Sequence, residues 1–216
     1  VRIFLATRNR HKLEELSRVL RGVELTAIPD DLALPPETGT TFAENALIKA
    51  RAAAAQLRAP VLGEDSGIEA EALGGAPGIR SARFASEGEE NAPDEANTAK
   101  LLALAPPGSG LRYVCALAYV DPVAGVEEVF WGTVEGRLAP APRGSGGFGY
   151  DPVFIPVEQD GERTMAELSP AEKDRISHRG RAARAFAAYL ARLEEVDRGA
   201  GGDGDAEQGV AGVTGK

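Results

Sequence analysis

Two apolar stretches joined by a five-residue turn constrain the architecture more than anything else in the chain. Residues 111–120, LRYVCALAYV, are apolar in both alternating sets, so the strand they form must be covered on both faces. DPVAG follows as a turn, and residues 126–136, VEEVFWGTVEG, alternate back as a second strand. Strands joined by so short a turn run antiparallel. Any sheet holding this pair therefore cannot be purely parallel.

The other segments alternate between strand and helix. RIFLA reads as a first strand, Thr7 to His11 as a loop, and Leu13, Leu16 and Leu20 place a helix over about Lys12 to Leu20. Thr41 and Glu44 match a capping box ahead of an Ala-rich helix, Phe42 to Leu57. APVLG reads as the next strand, with GEDSG at its carboxyl end. DEANTAKLLALA reads as a helix stopped by Pro106 and Pro107. A last helical segment, residues 169–193, starts with Ser169 as cap, Pro170 in the first turn and Glu172 completing a second box; Gly180 marks a place to split it. The order gives an α/β fold: a mixed central β-sheet flanked by helices. Ligand crevices in such sheets lie at the carboxyl ends of strands.

Composition narrows the class. A net charge of −9 weighs against non-specific nucleic-acid binding, which needs basic surface. No apolar run approaches the ~20 residues of a membrane helix, and VRIFLA is too short for a signal peptide. The single cysteine, Cys115, excludes an internal disulfide framework, suits a reducing cytoplasm, and reads as a small core residue. Asp197 to Lys216 is Gly-rich, acidic and without apolar period, and is read as a disordered tail after one domain, residues 1–196.

Four polar stretches carry candidate chemistry, each with a plainer explanation beside it. In GEDSG, Asp65 at a strand end suits a hard cation such as Mg²⁺ or the orientation of water; the alternative is a polar turn. Its expected partner is Glu44, although capping alone accounts for that residue. TRNRHK, residues 7–12, sits at a strand-to-helix junction suited to an anion, with Asn9 and Lys12 as donors; the alternative is a loop with Asn9 as N-cap. GSGGFGYD contains G-x-G-x-x-G, but YDPVFI follows instead of a helix, which excludes a dinucleotide fingerprint. Its glycines suit close approach to a flat ligand, with Phe148 for stacking and Asp151 for a hydrogen bond; the alternative is a flexible loop. Lys173, His178 and Arg179 form a cationic cluster suited to a carbonyl oxygen or phosphate; the alternative is a solvated helix face. His11 is the only other histidine, which excludes a multi-His metal site. Walker A and G-x-S-x-G motifs are absent. Together the four stretches point to a nucleoside triphosphate as ligand.

TRNRHK, TFAENALIKA, GEDSGIEAEALGGAPGIRSARFA, GGFGYDPVF and SHRGRA resemble, in order, the signatures of the inosine/xanthosine triphosphate pyrophosphatases, over about Ile3 to Leu193. The resemblance implies hydrolysis of ITP, dITP and XTP to the monophosphate and pyrophosphate with Mg²⁺, a two-lobed fold around a cleft, and a homodimer. It implies that Thr7, Arg8, Asn9, Arg10, His11 and Lys12 hold the phosphates. Asp65 would be the essential carboxylate, as metal ligand or base, and Glu44 a second ligand. Lys49 and Ser66 would contact the triphosphate. Phe148 would stack on the base, with Gly149 and Tyr150 among the substrate-binding residues, and Asp151, Lys173, His178 and Arg179 would recognise its edge. A 6-oxo purine presents an acceptor to Arg179 or Lys173, where adenine presents a donor. An unpaired buried donor costs ~1–3 kcal/mol. The Maf-like pyrophosphatases have S-x-S-x-R-x in the first loop, unlike Asn9 and Lys12. A sensor without turnover would not need Asp65 and Glu44 intact.

Overall fold

A computed structural model describes residues 2–159 and 161–200, excepting the side chains of 197–200. Its strands are β1 (Arg2–Ala6), β2 (Glu24–Ala27), β3 (Val61–Ala70), β4 (Gly110–Asp121), β5 (Val126–Leu138) and β6 (Phe154–Pro156). They form one sheet in the order β2-β1-β3-β4-β5-β6. β1 runs parallel to β2 and β3, while β3–β4, β4–β5 and β5–β6 are antiparallel. The sheet is mixed, as the hairpin requires. β2 and β6 are short edge strands without a strong pattern in the sequence.

β3 is where the two pairing modes meet. Its parallel ladder ends at Ala6↔Gly63, but its antiparallel ladder to β4 continues to Ala70↔Leu111. The acids of GEDSG therefore lie inside a strand and not beyond its end, because β4 keeps pairing after β1 has stopped. They still face a crevice, since one neighbour is missing from that point on.

Strand alternation then sends the two acids to opposite faces. Val61 of β3 and Val114, Ala116 and Ala118 of β4 pack under helix α2 (Phe42–Leu57), through Ala46, Ala50, Ala53 and Ala54. Leu62, Cys115, Leu117 and Tyr119 face the other way, onto α1 (Arg10–Val19) and α5 (His178–Ala200), through Leu16, Leu20, Ala182, Ala183 and Phe186. Asp65 shares the parity of Val61 and Glu64 that of Leu62. A third apolar cluster, including Ile68, Leu111, Tyr113, Val134 and Phe154, fills the end of the sheet beyond the crevice with Leu101 of α3 (Asp94–Leu104).

The caps follow the sequence. Thr41 Oγ1 accepts from the Glu44 amide at 3.1 Å, and Ser169 and Glu172 form a reciprocal box on α4 (Pro170–Ile176). The last helical segment breaks at Ser177, not Gly180. Ser177 is extended, and its Oγ accepts from the Gly180 amide at 3.0 Å, capping α5. α5 presses its first turn onto β5 at Gly132, where a Cβ would lie 1.9 Å from His178 O, so no larger residue fits. α5 continues to Ala200, past the Asp197 boundary read from composition, and the remaining tail, 201–216, lies outside the described residues. Among the described residues no helix is long and apolar enough to cross a membrane.

Candidate active site

A cavity of about 680 Å³ opens where β1 stops. Thr7, Arg8, Asn9 and Lys12 reach it from the β1–α1 junction, Glu37 from the loop before α2, and Lys49 from α2. Asp65 and Ser66 come from β3, Phe148 to Asp151 from the β5–β6 connection, Lys173 from α4, and His178 and Arg179 from α5.

At the first loop, Asn9 is an N-cap: its Oδ1 accepts from the His11 and Lys12 amides at 2.9 and 3.3 Å. Those two donors are thus engaged, and anion binding falls to the side chains. Arg8 donates to the carbonyls of Pro29, Asp30 and Leu32 and so fixes the loop after β2. Arg10 is exposed and pairs with Glu14 at 3.0 Å, outside the cavity. His11 also lies outside the cavity lining, its ring stacked on Phe148 at 5.2 Å and 16°.

On the α2 face, the Lys49 ammonium lies 2.5 Å from Glu37 Oε1, 2.7 Å from Glu64 O and 3.9 Å from Asp65 Oδ1. Asn45 Nδ2 donates to Asp65 Oδ2 at 3.2 Å. Burial pushes the Asp65 carboxyl up; Lys49 opposes this, Glu37 and Glu64 add to it, and the result is about 6. Glu44 does not join this group. Its Oε2 accepts from the Thr40 amide and hydroxyl at 2.6 and 2.9 Å, and it is exposed and absent from the cavity lining. The second carboxylate beside Asp65 is Glu37. In the sequence Glu37 looks like an ordinary loop acid in LPPETGTT, and only the adjacent prolines hint at a fixed position.

On the opposite face, ion pairs run through the protein interior. Lys12 Nζ lies 2.6 Å from Glu64 Oε2, and Arg179 Nε donates to Glu64 Oε1 at 3.1 Å. Arg179 also donates to Glu15 Oε2 at 2.5 Å and to Ser66 Oγ at 2.9 Å. Lys173 Nζ donates to Glu15 Oε1 at 2.6 Å and Asp151 Oδ2 at 2.5 Å, and the Tyr113 hydroxyl donates to Asp151 Oδ1 at 3.1 Å. Burial alone would raise both glutamates. Lys12 and Arg179 instead hold Glu64 well below the usual range, and Arg179 and Lys173 bring Glu15 to about 2. Burial and the Arg179 charge push His178 well below its usual value, so it is a neutral ring, stacked on Tyr113 at 4.5 Å. Cys115 is buried, and burial with the Glu64 charge raises its thiol well above the usual range, which makes it an inert core residue. Sequence reasoning missed Glu15 and Glu64 as partners of the cationic cluster. Glu15 reads as a helix-surface acid, and only its neighbour Leu16 on the apolar stripe suggests burial.

Phe148 stands at the rim, with Lys173 Nζ 5.0 Å and Arg179 Cζ 5.3 Å from its ring centroid. Gly147 (φ 69°) makes this turn; a Cβ there would lie 2.0 Å from Asp151 Oδ2. The geometry thus joins a carboxylate pair, a lysine-lined floor and an aromatic rim in one cleft.

The sequence profile of the Ham1 family matches residues 3–189. The chain belongs to the Ham1 family. This Ham1-family chain is 51% identical over 201 residues to a dITP/XTP pyrophosphatase of Frankia alni, covering 88% of this chain and 97% of that one. It is 48% identical to a dITP/XTP pyrophosphatase of Cutibacterium acnes, covering 89% and 98%. Among solved structures, a HAM1 protein from Coxiella burnetii superposes with a TM-score of 0.77 at 39% identity, covering 89% and 99%. The matched span, residues 3–189, contains every residue that lines the cavity.

Proposed function

We propose that the chain hydrolyses non-standard purine nucleoside triphosphates, ITP, dITP and XTP, to the monophosphate and pyrophosphate. One observation carries the reading: a single cavity holds Asp65 and Glu37 beside Lys49 and Lys12, and Phe148 beside the Asp151–Lys173–Arg179 network. Relatives named dITP/XTP pyrophosphatases, similar over nearly their whole length, support it.

The residues present fit Mg²⁺. Glu37 and Asp65 are hard oxygen donors, and Asp65, raised to about 6, gains from a nearby cation. The described residues hold no cluster of three or more His, Cys, Asp or Glu suited to a metal. Mg²⁺ needs only one or two carboxylates from a protein when substrate phosphates and water complete its shell. When bound, Mg²⁺ neutralises charge on the polyphosphate. The chain's own groups do the rest. Lys12, Lys49, Thr7, Asn9 and Ser66 bind phosphate oxygens. Asp65 orients the attacking water and accepts its proton. The water oxygen bonds to the α-phosphorus as the bond to the bridging oxygen breaks, and pyrophosphate departs. Phe148 stacks on the base. Lys173 keeps one ammonium hydrogen beyond Glu15 and Asp151, and Arg179 is fixed by Glu64 and Glu15, so the edge offered to the base is donor-rich and preset for a 6-oxo group.

A homodimer and a cytoplasmic location belong to the same proposal. The half-exposed Trp131 on β5 supports the first, and the lone buried thiol of Cys115 the second.

The test is product analysis with Mg²⁺ on ITP, XTP, dITP, ATP, GTP and dTTP. Monophosphate and pyrophosphate from the 6-oxo non-standard purines, with ATP and GTP nearly untouched, is the expected result. Pyrophosphate from dTTP instead, or orthophosphate as product, would overturn it.

A further inference from the structure

We infer that His11 is a positioning residue for base binding, acting by backing the Phe148 ring; this rests on the function proposed above. The two rings stack at 5.2 Å and 16°, so the imidazole covers one face of the phenyl. The cavities show which face. The large cavity is lined by Phe148 but not His11, while a second one of about 440 Å³ is lined by both. Phe148, with Asp94 and Gly149, separates the two cavities, and His11 lines the second while Asp65 and Lys49 line the first.

Both partners are anchored, but the phenyl ring is not held by the loop backbone alone. On the loop, the Phe148 amide donates to Asp151 Oδ2 at 3.0 Å and the Gly149 amide to Asp94 Oδ2 at 2.6 Å. These bonds fix the main chain; the ring itself is held by its neighbours, His11 in the stack and Lys173 Nζ and Arg179 Cζ at 5.0 and 5.3 Å from its centroid. The second cavity gives the ring somewhere to turn. His11 stands in the way: its main chain is fixed by its amide bond to Asn9 Oδ1 at 2.9 Å in the capped first turn of α1, and its ring lies against Phe148. The stack therefore joins the phosphate loop to the base loop directly. A base resting on the cavity face of Phe148 would meet a ring already fixed in plane, with less ordering cost on binding.

The test compares wild type, His11→Ala and His11→Phe on ITP, with inorganic tripolyphosphate as a base-free competitor and melting temperatures as a folding control. An aromatic pair of this kind corresponds to about a two- to tenfold effect. His11→Ala should raise KM for ITP by that factor and change kcat less than KM. His11→Phe should restore KM, and the inhibition constant of tripolyphosphate should stay level across the three proteins. A fall in KM for His11→Ala would mean the imidazole obstructs the base, and would overturn the inference. So would a tripolyphosphate constant that rises in step with KM, which would put His11 at the phosphates, or an alanine variant indistinguishable from wild type. Calorimetric titration of ITP in EDTA makes the same comparison without turnover. Wild-type binding in EDTA together with no turnover when Mg²⁺ is supplied would sink the hydrolase reading alone; equal binding by His11→Ala would sink this one.

Discussion

The Lys49 ammonium holds Glu37 Oε1 at 2.5 Å while standing 3.9 Å from Asp65 Oδ1, so one cation faces two carboxylates in a buried corner. Glu44, one turn earlier on α2, caps through Thr40 instead. Glu37→Gln should therefore lower kcat by on the order of 10²-fold and raise the Mg²⁺ concentration needed for half-maximal rate. Glu44→Gln should keep most of the activity and melt slightly below wild type from the weakened cap. Mg²⁺ titrations of both variants check the assignment; the reverse pattern would return the metal site to Glu44.

Asp65 gives a pH signature in the metal-free protein. Its folded carboxyl is raised from 3.8 to about 6, so between those values the folded state keeps a proton that the unfolded chain has released. The group thus makes no difference below pH 4, weakens the fold progressively up to pH 6, and leaves a constant cost of about 3 kcal/mol above that. Asp65→Asn should nearly abolish turnover, yet in EDTA at pH 7.5 it should melt on the order of 5–10 °C above wild type. At pH 4 the two should melt together. Equal melting at both values would mean Asp65 is not strained by burial.

Glu15 follows the opposite rule. Its folded value, about 2, lies below that of an unfolded glutamate, so its stabilisation is complete above about pH 4.5 and lost as pH falls towards 2. Glu15→Gln should flatten the acid limb of stability measured by urea unfolding between pH 2 and 5. An unchanged acid limb would count against the buried pairing.

Arg179 serves two anions before it serves a ligand. Arg179→Ala leaves Glu15 and Glu64 buried without that partner and should cost ~3–5 kcal/mol. Adding Glu64→Gln should recover part of the loss, because the orphaned charge is then gone. Denaturant unfolding of the two singles and the double measures the coupling; strictly additive losses would dismiss it. Any change in ITP against ATP preference is interpretable only in a variant shown to be folded.

Much of this was legible in the sequence, for identifiable reasons. Local chemistry such as the Thr41 and Ser169 caps, the both-sided apolar β4 and the hairpin turn writes itself into short windows. The order of the motif loops was equally readable. Where the chain's reach is long, the sequence is mute. Nothing near Glu15 announces Lys173, and nothing near Glu37 announces Asp65. Glu44 drew attention because its spacing was regular, whereas Glu37 acts from an irregular loop that periodicity cannot register. The extent of β3 depended on a partner strand over forty positions away.

The ion pairs that close the site join residues 158 and 164 positions apart, Glu15 to Lys173 and Glu15 to Arg179. A ribosome therefore delivers Glu15 long before either of its counter-charges. At ~5–20 residues per second the gap lasts on the order of ten seconds or more. Until α4 and α5 emerge, Glu15 has neither of its ion-pair partners and Glu64 has only Lys12. A chain stopped short of Lys173 would carry Glu37, Asp65 and the β1–α1 loop and still have no settled interface to hold them. Quality control would meet such a fragment as an unfolded protein, not as a crippled enzyme.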